Sequence, residues 1–525
     1  MDRAPDGLAP GTGPPTLRRA RHLATAPAWP PVRTSTVAVL APTPTSAVDP
    51  GPAAPPPRWL LIGGGAVGVA VLAAVAAWTA IGVVDGASRR LVVLPVAVVA
   101  AVGLAAVAVR RLEVAVLAAL VVRASLDVTK LGSGTGGVEP SVLLGLAVTL
   151  AALVVVAVPR RRDGWPGPAP VTQALLALVA AGAVSILGAD RPGGAALELA
   201  RLGSTAAMAV LLDRLLVDGR RVRHLLVAVY AAAVVPLGVA AAQLAGLGGA
   251  RTIGGFERVR GTFLHPNPFA LFCTFLLVVG VALLPATRRH ARLALLVLLP
   301  ALGVALFATY ARGAWIAAVA GVVGVGLSRR SARLVGVVVV GVVAVAVLVP
   351  SSMGRFADLG SADRATGAAS NSLAWRVDYW HDAAGLATRN PLTGIGLDMV
   401  AVAFDESVPP HNDYVRVIVE LGVVGALVYL ALLGTLAGVA RRARRVARSP
   451  LARAVADGQV GLVVAFAVLS LSANVLSQVV VMWYLVALTA AAVAVGRGVD
   501  PAPPEPDRSA PAGDGAASPA FGGTG

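Results

Sequence analysis

The chain has 525 residues, 57% hydrophobic and 14% charged, with a mean hydropathy of +0.79. A water-soluble domain carries about a quarter charged residues, so a soluble enzyme of this size is excluded. The net charge of +17, from 44 Lys and Arg against 27 Asp and Glu, does not point to nucleic acid, because the arginines fall in short clusters between apolar runs, as in a membrane topology.

Residues 1–58 are rich in Pro, Ala, Thr and Arg and contain no apolar run, so they read as a disordered cytoplasmic tail. The first apolar stretch begins at Trp59, and no signal peptide is expected ahead of it. Residues 59–250 form a set of N-terminal transmembrane helices, with spans at 59–84, 91–109, 112–126, 140–158, 171–189, 194–214 and 225–247. Each run approaches the ~20 residues needed to cross ~30 Å of hydrocarbon. Backbone polar groups at that depth must be satisfied within the segment, so the runs are helices. The third is short and carries Arg123 and Asp127. Gly63-Gly64-Gly65-Ala66-Val67-Gly68 matches a dinucleotide-binding pattern, but it lies in a span with no soluble strand before it, and small residues there suit helix packing.

Residues 251–497 form a second transmembrane unit, with spans at 267–285, 293–309, 313–328, 334–350, 412–438, 459–476 and 478–496. A long loop, 351–411, interrupts it, and 498–525 read as a second disordered cytoplasmic tail. The expected fold is an all-α polytopic membrane protein with about 12–14 transmembrane helices. The single cysteine, Cys273, lies in an apolar run, which leaves no disulfide framework and no zinc site.

Charge sets the expected orientation. With the N-terminal tail inside, the clusters at 110–111, 160–162, 220–223, 288–292, 329–333 and 441–453 all fall inside, and only Arg89–Arg90 does not. The connection 248–266, the turn at Tyr310–Arg312 and the loop 351–411 then lie outside. Within that loop, Ser372 to Leu386 reads as an amphipathic helix with Leu373, Val377, Trp380 and Ala384 on one face, ended by Asn390-Pro391. Trp375, Arg376 and Trp380, with Asn412 beyond, are candidate sugar or acceptor contacts. The same aromatics would equally suit a helix lying at the membrane interface.

Three outer segments each end at the start of an inward-running helix: Arg258 to Pro268, Thr309 to Trp315, and Pro409 to Tyr414. A helix N-terminus offers unpaired N–H groups and partial positive charge. Arg260 and Arg312 beside two such starts could hold a diphosphate through bidentate guanidinium contacts, although each also reads as an ordinary loop or interfacial arginine. His411 could accept a proton from a hydroxyl, or could be structural. Asp413, Arg416 and Glu420 share one helical face and read as structural ion pairs or as functional charges; Glu198 and Arg201 make a similar pair.

Four strings in order resemble the O-antigen ligase and polymerase family: Gly261-Thr262-Phe263 with Pro266-Asn267 and Ala270; Tyr310-Ala311-Arg312-Gly313-Ala314-Trp315; Asn390-Pro391-Leu392-Thr393-Gly394-Ile395-Gly396; and His411-Asn412-Asp413-Tyr414 with Glu420-Leu421-Gly422-Val423-Val424-Gly425. The resemblance covers about 250–497, and earlier residues resemble the family in topology alone. It implies a GT-C-like membrane glycosyltransferase with a large extracytoplasmic loop. Such an enzyme moves glycan from an undecaprenyl-diphosphate-linked donor to a glycan, lipid or protein acceptor at the outer leaflet, without metal or cofactor. By position, Arg260 and Arg312 match the family's donor-diphosphate arginines and His411 its catalytic histidine. About fourteen spans exceed the family's usual twelve or so, and both tails depart from its core. The competing expectation is a transporter or flippase of an amphiphilic substrate, which would line a midplane path with broken helices in paired repeats; the polar motifs here cluster at one face instead.

Overall fold

A computed structural model describes residues 111–127, 140–157, 165–253, 256–348, 373–404 and 410–502. The tails at 1–58 and 503–525, the spans expected at 59–84 and 91–109, and loop residues 351–372 and 405–409 lie outside the described residues.

The described chain is helical apart from one small hairpin. Its helices are α1 (Leu112–Arg123), α2 (Pro140–Ala157), α3 (Pro170–Ser185), α4 (Pro192–Leu215), α5 (Gly219–Ala231), α6 (Val234–Leu244), α7 (Pro266–Leu283), α8 (Arg289–Ala308), α9 (Arg312–Ser328), α10 (Ala332–Leu348), α11 (Leu373–Leu386), α12 (Met399–Ala403), α13 (Asp413–Glu420), α14 (Gly422–Val446), α15 (Pro450–Ser470) and α16 (Val479–Gly496). Proline opens five of them, where its missing N–H costs no helical bond. Asp218 and Ser449 cap α5 and α15 by accepting from Arg221 N and Ala452 N. Among the described residues nine helical stretches are long and apolar enough to cross a membrane; α9 and the start of α10 are apolar but shorter. The chain is a multi-pass, all-α membrane protein.

The core is organised around α16. It is apolar on every side because helices surround it, and Trp483 and Tyr484 are fully buried. The Tyr484 hydroxyl donates to Leu120 O at 2.5 Å, tying α16 to α1. Outward-facing apolar side chains such as Leu153, Val297, Val340 and Leu427 form the surface that suits lipid. One end of the bundle is stitched by arginine: Arg329 pairs with Asp457 at 3.0 Å, Arg223 donates to Pro501 O at 2.8 Å, and Arg497 donates to Gly167 O at 2.9 Å.

Two expected spans change. The run 412–438 is two helices: α13 stops at Glu420 and α14 begins at Gly422, whose φ of 66° is left-handed. The segment after α11 causes the break by docking on it, with Ile395 N donating to Val419 O at 3.0 Å, Gly396 N to Glu420 O at 3.1 Å, and Val423 N to Pro391 O at 2.8 Å. The span expected at 459–476 is α15 at 450–470, because Ser449 and Pro450 start the helix early; a turn follows at 471–478. The connection 248–266 contains an antiparallel hairpin, β1 (Arg251–Ile253) and β2 (Phe256–Arg258), with Arg251 opposite Arg258. The two glycine strings of the sequence, Gly394 and Gly422 included, therefore meet as one contact.

Candidate functional site

The end of the bundle opposite the arginine stitches gathers the hairpin, the starts of α7, α9 and α13, helix α11 and the turn at 471–478. Each is fixed by polar bonds to the next. Arg258 is buried; its Nε donates to Thr309 O at 2.6 Å and its Nη2 to Asn267 Oδ1 at 2.8 Å. Val259 N donates to Ala308 O at 3.0 Å, and the Phe256 and Tyr310 rings lie 5.2 Å apart. One arginine thus locks the start of α7 to the turn before α9. The Trp315 indole donates to Leu306 O at 3.0 Å and stacks on Phe307, so the start of α9 is rigid.

Arg260 is half-buried. Its Nε donates to Gly249 O at 2.7 Å, and its backbone N–H shares the buried Gln243 Oε1 with Gly261 N, both at 3.0 Å. Gln243 therefore shapes the Arg260 loop, a role no motif advertised. His265 caps α7, its Nδ1 accepting from Asn267 N at 3.1 Å.

Helix α11 forms where the sequence placed it, but the buried face differs. Tyr379, Ala383 and Leu386 are buried, whereas Val377 and Ala384 are exposed. The reason is that the polar residues on this flank have protein partners: Arg376 Nη1 donates to Ser472 O at 3.2 Å, and the Trp380 indole donates to Pro410 O at 2.6 Å. Trp380 is therefore tied through its indole N–H to the backbone beside His411, which fixes the orientation of its ring. The Trp375 side chain lies outside the described residues.

Asn412 is buried and caps α13, its Oδ1 accepting from Tyr414 N at 2.9 Å and Val415 N at 3.2 Å, while its own N–H donates to Asn474 Oδ1. Its side-chain carbonyl is thereby committed to the cap. Asp413 directs its carboxylate to Val475 N at 3.0 Å and Leu476 N at 3.3 Å, so it braces the 471–478 turn in place of an ion pair. Arg416 and Glu420 do pair, at 2.9 Å, and Arg416 also takes Glu198 at 3.1 Å, which joins Arg201 at 3.1 Å. The charges expected on α13 and α4 are one buried network.

His411 sits in front of this frame with a left-handed φ of 51°, as does Tyr310 before α9. Such a backbone is uncommon for a residue with a side chain and persists only when its surroundings hold it. Burial, and then the nearby Arg376 guanidinium, hold the His411 imidazole down at about 4. Burial and the charge of Arg312 lower Arg376 from its usual range. Burial, then Arg258, Arg251, His411 and Arg260, hold His265 down at about 4. Arg312, Arg376, His411, His265 and Arg260 thus form one chain of electrostatic neighbours. Arg376 stands out: its Nε is buried with no hydrogen-bond partner, and it has no ion pair among the described residues. A half-buried cation whose Nε is buried and unmet is suited to an anionic ligand. The sequence singled out His411, Arg260 and Arg312, and Arg376 as a sugar or acceptor contact; the placement of Arg376 and His265 beside the others needed the fold. Among the described residues no group of three His, Cys, Asp or Glu converges to hold a metal ion.

Residues 294–430 match the sequence profile of a family described as O-antigen ligase. That segment is thus similar to the O-antigen ligase family. The match spans α8 to the first part of α14 and so takes in Arg312, Arg376 and His411. It supports glycan transfer of the O-antigen ligase or polymerase type, in surface polysaccharide biosynthesis at a membrane. No curated protein matches the chain significantly.

Proposed function

We propose that the protein transfers or polymerises glycan at the outer leaflet of the plasma membrane, taking it from an undecaprenyl-diphosphate-linked donor and passing it to an acceptor hydroxyl. The observation that carries this reading is the cluster of Arg376, Arg312 and His411: a half-buried guanidinium with a buried, unmet N–H, a second guanidinium beside it at a helix start, and an imidazole held neutral. The arginine-stitched end of the bundle supports the orientation, because positive clusters stay on the cytoplasmic side. Both termini are then cytoplasmic and the site is extracytoplasmic.

In this mechanism Arg312, Arg376 and Arg260 hold the donor diphosphate. The acceptor oxygen attacks the anomeric carbon and its proton passes to His411. The bond from that carbon to the diphosphate oxygen breaks, and the electron pair leaves with the lipid diphosphate, which gains charge where the guanidinium groups wait. Attack opposite the leaving group inverts the sugar carbon. A diphosphate next to His411 raises its affinity for a proton, so the donor itself makes the imidazole a better base.

The test is glycan assembly in cells carrying Arg312→Ala, Arg376→Ala or His411→Ala, with protein levels matched. Accumulated lipid-linked units with loss of polymer are expected from each. Normal polymer from all three would overturn the proposal.

A further inference from the structure

A cavity of about 510 Å³ opens between α1, α2, α4 and the start of α16. It is separate from the arginine and histidine cluster, and its chemistry differs. Arg123 pairs with Asp127 across its wall at 3.0 Å, and Glu198 with Arg201 at 3.1 Å, while Asp398 lies within the fields of Arg416 and Arg201. Cations and carboxylates alternate, so the wall has no excess of positive charge to select a phosphate. Hydroxyl and amide groups from Ser141, Thr149, Ser204 and Gln478 complete the lining. Arg123 is buried, with a side-chain exposure of 6%, yet its Nε has no hydrogen-bond partner. Alternating donors and acceptors of this kind fit a neutral, hydroxyl-rich group.

The opposite flank is apolar. Val142, Leu146 and Leu197 line the cavity and are 40%, 41% and 46% exposed, on helices of lipid-crossing length. The cavity therefore opens sideways toward the bilayer. It is also coupled to the first site: its Glu198 bonds Arg416 at 3.1 Å, on the helix that begins two residues after His411. Arg416 is one turn into that helix, about 4.5 Å along its axis from Asp413 at 1.5 Å per residue.

We infer that this cavity binds a neutral glycolipid, its sugar among the alternating charges and its chains along α2 and α4. The role of that lipid as glycan acceptor rests on the proposed transfer reaction; its binding does not.

Gly203 gives a direct test. It lines the cavity, and a Cβ there would meet nothing within 4 Å, so a larger side chain fills the space without a first clash. The full chain in nanodiscs is exposed to a diazirine-bearing glucosyl diacylglycerol, with sugar-free diacylglycerol as competitor. Expected are label on peptides of α2 and α4, at least tenfold less label in Gly203→Phe, and little competition. Gly203→Leu serves if the Phe variant does not fold. Undiminished label in the filled variant, or equal competition by diacylglycerol, would overturn the inference. Undecaprenyl diphosphate binding is measured in parallel and is expected unchanged in Gly203→Phe. If that lipid bound no form of the protein while the Gly203-dependent label persisted, the donor reading would fail and the glycolipid site would stand.

Discussion

Gly394 and Gly422 lie on the two sides of one backbone-to-backbone contact: a side chain on Gly394 would overlap Glu420 and Leu421, and one on Gly422 would overlap Leu392 and Thr393. Both have positive φ, 74° and 66°. This contact ends α13 and starts α14, and so sets where the helix following His411 points. Alanine at either position meets strain and a clash together. Each substitution is expected to destabilise by roughly 2–4 kcal/mol, read as a lower melting temperature in detergent. Gly434→Ala, in a helix with open space around its Cβ position, is the control and should not destabilise.

The network at Arg416 makes a different prediction. Arg416, Glu198 and Glu420 have side-chain exposures of 4%, 6% and 2%. Removing the arginine leaves the buried Glu420 carboxylate without a cation and Glu198 with Arg201 alone, a loss of about 3–5 kcal/mol. Arg416→Met should therefore melt well below the parent. Combining it with Glu198→Gln and Glu420→Gln should restore most of the stability. Equal stability of Arg416→Met and the parent would show that the network does not support the fold.

Stability should also fall in acid. His265 and His411 are held at about 4 in the folded chain against an ordinary 6.5. Between those values the unfolded state binds more protons, so stability is full above about 6.5 and is lost as pH drops toward 4. Melting temperature against pH should decline over that window, and less steeply in the His265→Gln, His411→Gln double variant.

Activity has its own acid limb. Protonated His411 cannot accept the acceptor's proton, so the rate should fall with falling pH. Because bound diphosphate raises the imidazole's proton affinity, the limb in kcat should lie at higher pH than the limb in kcat/KM. Coincident limbs would separate His411 from the donor diphosphate.

Trp380→Phe keeps the ring but removes the bond to Pro410 O. His411, held in a left-handed backbone next to that bond, should lose its orientation. The expected result is a fall of about tenfold in kcat with little change in donor KM, measured in proteoliposomes at matched protein level.

The site was legible in the sequence only in part, and the reason lies in the range of each signal. Arg260, Arg312 and His411 were visible because each sits at a helix start marked by local punctuation, proline or a capping residue. His265 stands beside the same punctuation, Pro266, but its cap and its nearness to His411 depend on the fold, and Arg376, a candidate sugar or acceptor contact, sits inside a helix with no such mark. That Trp380 is oriented by Pro410 O and that Asn412 caps α13 were not visible either, because a sequence does not show which backbone groups a side chain will meet.

What the sequence determined alone was the membrane character: apolar runs of spanning length, such as 171–189, 194–214 and 267–285, separated by short arginine clusters. These follow locally, since a backbone in hydrocarbon must complete its hydrogen bonds within its own segment. Tertiary structure decided where one apolar run would break, at Leu421, and which helix ends would meet. Those outcomes depend on two surfaces fitting, backbone against backbone at Gly394 and Gly422 or Arg416 between two carboxylates, and neither partner's own stretch of sequence contains the other's position.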